Sequence, residues 1–117
     1  MSELDQPTYA PTPGDVQRIA VNATGGIDAL EEALAQLGWV RLFAKGADVD
    51  VLFGDDSTPA ITAQNGVSGG SNVVGYTVAA GSYHDIYKSQ NYTHVRWKAS
   101  GTGTLTIAWA GRRRGGK

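Results

Sequence analysis

The chain offers few side chains for catalysis, since its 117 residues include two histidines and no cysteine. His84 and its neighbour Asp85 could be combined with Ser82 or Ser89 as a Ser/His/Asp triad. Adjacent residues on a strand point to opposite faces, so these side chains would not converge. The strand-to-helix turn that places the serine of a G-x-S-x-G nucleophile elbow is also not predicted. We therefore predict that the protein is not an enzyme and has no catalytic residues.

Four carboxylates lie close together in sequence, at Asp48, Asp50, Asp55 and Asp56. Carboxylate oxygens at such spacing could hold Ca²⁺. The twelve-residue calcium loop, with its fixed glycine and terminal glutamate, is missing, so we interpret these residues as solvated acids of a turn region. Neither a metal nor a cofactor is predicted.

Two runs with period-two alternation dominate the C-terminal half, Tyr92–Lys98 and Thr104–Ala110, with a Gly-containing linker between them. Alternate residues of a strand share a face, so each run has one apolar face, which includes Trp97 in the first run and Trp109 in the second. Each aromatic side chain buries about 150–250 Å². The pattern predicts a hairpin with one buried side.

A second hairpin is predicted from Trp39–Ala44 and Asp48–Phe53, which flank a turn of small residues. Further short strands are predicted over Val16–Asn22, Val73–Val78 and Tyr83–Tyr87. Many short strands separated by turn signals are typical of two packed sheets. The expected fold class is mainly all-β: one antiparallel β-sandwich or jelly-roll-like domain with a single short helix.

The one helical candidate covers about residues 27–37, where Ile27, Leu30, Leu34 and Leu37 recur at spacings of three and four. Acidic residues near its start and Gly38 after its end are typical helix boundary signals. A helix this short could give way to a strand if the surrounding sheet competes for it.

The chain divides into an arm, a domain and a tail: residues 1–14, 15–111 and 112–117. The arm contains Pro7, Pro11 and Pro13 and no apolar periodicity, which predicts an extended segment. Such a segment is either a disordered terminus or a strap on a neighbouring subunit. The tail is basic and Gly-rich, with three consecutive arginines.

Charge is distributed unevenly along the sequence. Residues 1–56 carry ten acidic and three basic side chains, and residues 57–117 carry one acidic and seven basic ones, so the halves have charges of −7 and +6. We expect strands from the two halves to interleave, which would mix these charges on the folded surface. No run approaches the ~20 apolar residues that a membrane span requires.

The core does not account for the polar side of the Tyr92–Lys98 strand, where tyrosine, histidine and arginine alternate. We expect a neighbouring strand to add Tyr83 and Tyr87 to one of its faces. Aromatic and arginine side chains on a polar face are typical of protein interfaces. With the arm, the predicted interface residues are Pro7, Tyr9, Pro11, Pro13, Tyr83, Tyr87, Tyr92, His94 and Arg96.

A "VR" strand at Trp39–Phe43 leads into a "V-x-V-x-F-G" strand at Asp48–Gly54. Ala79–Gly81 follows, and a late "G-T-G-T-L" sequence lies within His94–Ile107. These strand and turn motifs resemble those of small β-sandwich structural proteins of tailed bacteriophages, of the head decoration (cement) or minor capsid class. The resemblance covers residues 39–111. The predicted helix at 27–37 departs from this pattern.

This resemblance implies a virion component on the capsid surface, assembled in the host cytoplasm, that binds between capsomers and stabilises the shell. The implied partners are the major capsid protein and further copies of the chain, commonly as a homotrimer, with no membrane and no specific nucleic acid. Two alternatives stay open: a carbohydrate-binding module of a fibre or adsorption apparatus, and a head–tail connector subunit that forms a ring.

Overall fold

The structure is a computed structural model that describes residues 15–64 and 70–110. Eight strands and one helix follow in chain order: β1 (Val16–Val21), β2 (Gly26–Ala29), α1 (Glu32–Ala35), β3 (Trp39–Lys45), β4 (Val49–Gly54), β5 (Tyr76–Val78), β6 (Tyr83–Tyr87), β7 (His94–Ala99) and β8 (Gly103–Trp109). The predicted arm (1–14) and basic tail (112–117) lie outside the described residues.

The strands form two four-stranded sheets, ordered β1-β8-β3-β6 and β2-β7-β4-β5, in which the named strands pair antiparallel. The chain pairs as one long hairpin, β1 with β8, β2 with β7, β3 with β6 and β4 with β5, folded over into two layers. This is the strand order of a jelly roll, and the predicted sandwich class is confirmed. The interleaving of the two halves is also confirmed, because each sheet takes strands from both.

Both predicted hairpins are wrong. The β3 and β4 strands lie in different sheets, as do β7 and β8, so each connection crosses the sandwich instead of closing a ladder. Gly46 has a φ of 89° in the first crossing, a conformation that favours glycine. Alternation predicts which side chains are buried, but it does not identify the partner strand, because the inner faces of both sheets line the same core.

The predicted helix over 27–37 is wrong in its extent. Residues Gly26–Ala29 instead form a strand whose four positions pair with β7, and the helix is a single turn over Glu32–Ala35. A strand of four ladder pairs is favoured here because one helical turn carries the cost of nucleation with few bonds to offset it. Leu30 and Leu34 are still buried, and they close one end of the core.

The core fills the space between the inner faces of the two sheets. Val95 and Trp97 of β7 and Leu105 and Ile107 of β8 are buried as predicted, whereas Trp109, at the end of its strand, is half-buried. The cluster comprises Ile19, Val21, Leu30, Leu34, Val40, Leu42, Ala44, Ala47, Val49, Val51, Val78, Val95, Trp97, Ala99, Leu105 and Ile107. The sandwich therefore has two outer faces, one per sheet, on which functional residues can lie.

Side-chain hydrogen bonds join the sheets at both open edges. Between β1 and β2, the Gln17 side chain donates to the Ala29 carbonyl (2.9 Å) and accepts from the Glu31 amide (2.8 Å). Between β5 and β6, the Tyr76 hydroxyl lies 2.7 Å from His84 Nδ1. These bonds help to set the relative position of the two sheets.

Candidate functional site

The largest group of exposed aromatic side chains lies on the outer face of the β1-β8-β3-β6 sheet. In the β3–β6 ladder, Trp39 is opposite Tyr87, Arg41 opposite Asp85, and Phe43 opposite Tyr83. The alternate β3 residues Val40 and Leu42 are fully buried, so the other set points away from the core. We call these six outward residues the aromatic face: Trp39, Arg41, Phe43, Tyr83, Asp85 and Tyr87.

An ion pair occupies the centre of the aromatic face. Arg41 donates from Nε to Asp85 Oδ1 (2.7 Å) and from a terminal nitrogen to Oδ2 (3.1 Å), so the pair is bidentate. The hydrogen bond to Asp85 raises the pKa of the Arg41 guanidinium. The guanidinium carbon also lies 4.5 Å from the centre of the Tyr83 ring, within range of a cation–π interaction.

The rings around this pair are well exposed. Tyr83 and Tyr87 retain 59% and 66% of their accessible surface and Trp39 retains 43%. Trp39 and Tyr87 pack edge to face, with ring centres 5.5 Å apart and planes at 64°. Cross-strand contacts thus join Trp39 to Tyr87 and Arg41 to Tyr83. Tyrosine, tryptophan and arginine are residue types that are enriched in protein interfaces.

His94 and Arg96 lie on the other outer face of the sandwich. They belong to β7 in the second sheet, opposite Gly54 and Leu52 of β4. Arg96 Nε donates to the Thr58 carbonyl (2.8 Å), so this guanidinium fixes a neighbouring loop. The structure therefore does not bring His94 and Arg96 together with Tyr83 and Tyr87. The expectation that they share a face is wrong, because β6 and β7 are in different sheets.

Tyr92 lies on neither outer face. It is in the β6–β7 connection, where its side chain is 41% exposed and its carbonyl accepts a hydrogen bond from Lys88 Nζ (3.3 Å). The remaining predicted interface residues, Pro7, Tyr9, Pro11 and Pro13, lie outside the described residues.

Lys88 is a buried base that the sequence did not single out. It is 4% exposed, and Nζ also donates to the carbonyls of Ala35 (2.8 Å) and Ser89 (3.1 Å). Burial lowers the pKa of this amine. All three donors have backbone acceptors, so Lys88 joins the end of α1 to the β6–β7 connection and is a structural residue.

Among the described residues, His84 and Asp85 do not converge as a Ser/His/Asp triad would require. His84 lies at the β5–β6 edge against Tyr76, with ring centres 5.4 Å apart, whereas Asp85 points outward to Arg41. Across residues 15–64 and 70–110, no group of three His, Cys, Asp or Glu side chains could hold a metal ion. No helix in that part of the chain is long and apolar enough to cross a membrane.

The acidic cluster divides into residues with different surroundings. Asp55 is exposed in a turn, where the Ser57 hydroxyl lowers the pKa of its carboxyl group. Asp50, interpreted from the sequence as solvated, is only 1% exposed. Its Oδ1 accepts from the Thr77 hydroxyl (2.7 Å), and its Oδ2 has no hydrogen-bond partner in the part of the chain that the structure describes. Asp50 lies between Thr77 of β5 and Lys98 of β7 in the sheet, and alternation along β4 alone does not predict these neighbours.

Sequence reasoning also missed that the β3 residues Trp39, Arg41 and Phe43 contribute to a surface. The signal was present, since they alternate with Val40 and Leu42, but the pairing of β3 with β6 was needed to place them beside the tyrosines. Comparisons with protein-family models, curated proteins and solved structures find no match to this chain.

Proposed function

We propose that the protein is a structural component of a tailed-phage virion, a head decoration protein that binds the major capsid protein and stabilises the shell. Two observations support this proposal besides the resemblance in residues 39–111. The jelly-roll strand order is one that viral capsid domains use, although a fold alone does not give a function. The aromatic face carries the proposal, because it offers a preformed surface for a protein partner.

In this proposal the exposed rings of Tyr83, Tyr87 and Trp39 are the anchors that a shell protein covers. Aromatic side chains contribute large contact areas at low cost in conformational entropy, and central, well-packed positions dominate binding energy. The Arg41–Asp85 pair would supply orientation at the centre of the contact. Residues 1–14 would add a second contact with the shell as an extended strap, and a trimer would present three such surfaces.

The copy number of this chain in purified virions tests the proposal most directly. Quantitative mass spectrometry would compare the chain with the major capsid protein. A near-stoichiometric amount is expected for a decoration protein that covers the shell. An amount that corresponds to a single ring would favour the head–tail connector instead, and absence from the virion would refute the proposal.

A second experiment tests which face binds. Cosedimentation with purified shells would compare the double variant Tyr83→Ser/Tyr87→Ser with His94→Ala, a matched surface change on the opposite face. Loss of two aromatic anchors is expected to weaken binding by about a thousandfold, at about 2 kcal/mol for each anchor. The His94 variant should bind as the parent does. The reverse pattern would place the shell contact on the other sheet.

Carbohydrate binding is the second candidate, because exposed tyrosine and tryptophan rings also stack on sugars and because lectins include jelly rolls. The 64° angle between the Trp39 and Tyr87 rings argues against a single flat platform, which is why we rank this candidate second. Retention of the parent protein on host polysaccharide, lost in Tyr87→Ser, would favour this function over shell binding.

A further inference from the structure

We propose that, in the free protein, residues 2–14 fold back as a strap over the aromatic face of their own chain. The inference deepens the proposed function and rests on it in one respect: at the shell, the capsid protein would displace the strap from the aromatic face. The strap itself requires no partner and is tested without one. Its grounds are the position at which the arm begins, its length, its side chains and its charge.

The arm joins the domain at the end of the sheet where two of the exposed rings lie. The Asp15 carbonyl accepts a hydrogen bond from the Trp109 amide (3.1 Å). Val16 pairs with Ala108, and Ala108 pairs with Arg41, so these residues form one row across the sheet. Trp39 and Tyr87 occupy the end of that sheet just beyond this row. The arm therefore starts on the edge strand β1, at the same end of the sheet as Trp39 and Tyr87 and with only β8 between it and the aromatic face.

The arm is long enough to cross this face. From β1 to β6 is three strand spacings, about 14 Å at ~4.8 Å each, and Tyr87 to Tyr83 is about 13 Å along the strand. The nine residue-to-residue steps from Gly14 back to Asp5 span about 30 Å when extended, at ~3.3 Å per step. The sum of the two distances, about 27 Å, lies within that reach.

The side chains of the arm match the face chemically. In an extended chain, alternate residues share a side, so Pro7, Tyr9 and Pro11 can face the sheet together. Aromatic surfaces bind proline-rich extended segments, which have little conformational entropy to lose. The Pro13-Gly14 pair is favoured in turns and permits the chain reversal that an intrachain strap requires.

Charge favours the N-terminal arm, and not the C-terminal tail, as the segment that covers the aromatic face. Besides the neutral Arg41–Asp85 pair, the outer face carries the exposed bases Arg18 and Lys45. The arm carries Glu3 and Asp5, which complement them, whereas the tail after Ala110 carries three arginines of the same sign as the face. A short tether also gives the arm of the same chain a millimolar effective concentration, which favours its own face over that of another copy.

Disulfide trapping is a direct test because the chain has no cysteine of its own. The variant Tyr9→Cys/Tyr87→Cys keeps Trp39, Tyr83 and Phe43 in the face. The matched control is Tyr9→Cys/Ala29→Cys. Ala29 is exposed on the other sheet, and its carbonyl accepts a hydrogen bond from the Gln17 side chain, so it lies at least as near the start of the arm as Tyr87 does. Under mild oxidation at low protein concentration, we expect the first pair to form an intrachain bond about tenfold faster or more.

Equal rates in the two variants would show a tether without a preferred site and would overturn the proposal. Interchain dimers whose yield rises with protein concentration would also overturn it, in favour of an arm exchanged between copies. A second readout uses no cysteine: deletion of residues 2–13 should increase acrylamide quenching of tryptophan fluorescence, and Trp39→Phe should abolish that increase. A trapped strap that still binds shells as the parent does would refute the shell contact of the aromatic face and leave the strap standing.

Discussion

Replacement of Lys88 by methionine tests whether a buried ammonium group holds one end of the sandwich together. Its Nζ donates to the carbonyls of Ala35, Ser89 and Tyr92, which belong to α1 and to the β6–β7 connection. Methionine fills a similar volume but leaves these three acceptors without their donor. Each acceptor left unpaired in a buried site costs about 1–3 kcal/mol, partly offset because a charge no longer has to be buried.

We therefore expect the free energy of unfolding of Lys88→Met to fall by about 3 kcal/mol, which for a domain of this size lowers Tm by about 10 °C. Urea denaturation and differential scanning calorimetry would measure the two quantities. Lys98→Met is the matched control, since the Lys98 amine bonds a single carbonyl, that of Ala23, at the surface. It should change the free energy by less than about 1 kcal/mol.

The effect should also depend on pH with a definite sign. Burial lowers the pKa of Lys88 in the folded state, so between that value and the unfolded value of about 10.4 the unfolded chain binds more protons. The stability of the parent relative to Lys88→Met must then rise as the pH increases through this window. A variant as stable as the parent at pH 7, or a difference that shrinks with rising pH, would refute the assigned role of Lys88.

Two further substitutions test the packing and the buried carboxylate. Gly26→Ala should lower the free energy of unfolding by about 1–3 kcal/mol, because its Cβ would lie 2.6 Å from the Trp97 ring. Gly101→Ala is the control, since its Cβ meets nothing within 4 Å. Equal denaturation midpoints for the two variants would contradict this reasoning. Asp50→Asn should raise the same free energy by about 1 kcal/mol, because a neutral amide keeps the acceptor for the Thr77 hydroxyl and is easier to bury than a carboxylate with an unpaired oxygen. A loss of stability on denaturation would show that the charge of Asp50 is itself required.

The candidate surface was predictable only in part. Tyr83 and Tyr87 were identified from their place on a polar strand face, and they are exposed in the structure. Their partners were misassigned to His94 and Arg96, which are the next polar residues in a strand pattern along the chain but lie in the other sheet. Sequence proximity says little about surface proximity when consecutive strands alternate between layers.

The sequence by itself determined the mainly β class and the inward side of most strands, because alternation is a local property of each strand and the core-facing side chains must be apolar. Only the tertiary structure decided which strands pair. The free energy of pairing depends on contacts between distant segments, as between β3 and β6, and the inner faces of both sheets have the same apolar pattern. The same long-range pairing converted the start of the expected helix into β2 and placed Trp39 and Arg41 beside Tyr87 and Asp85. The aromatic face is therefore a product of the jelly-roll topology.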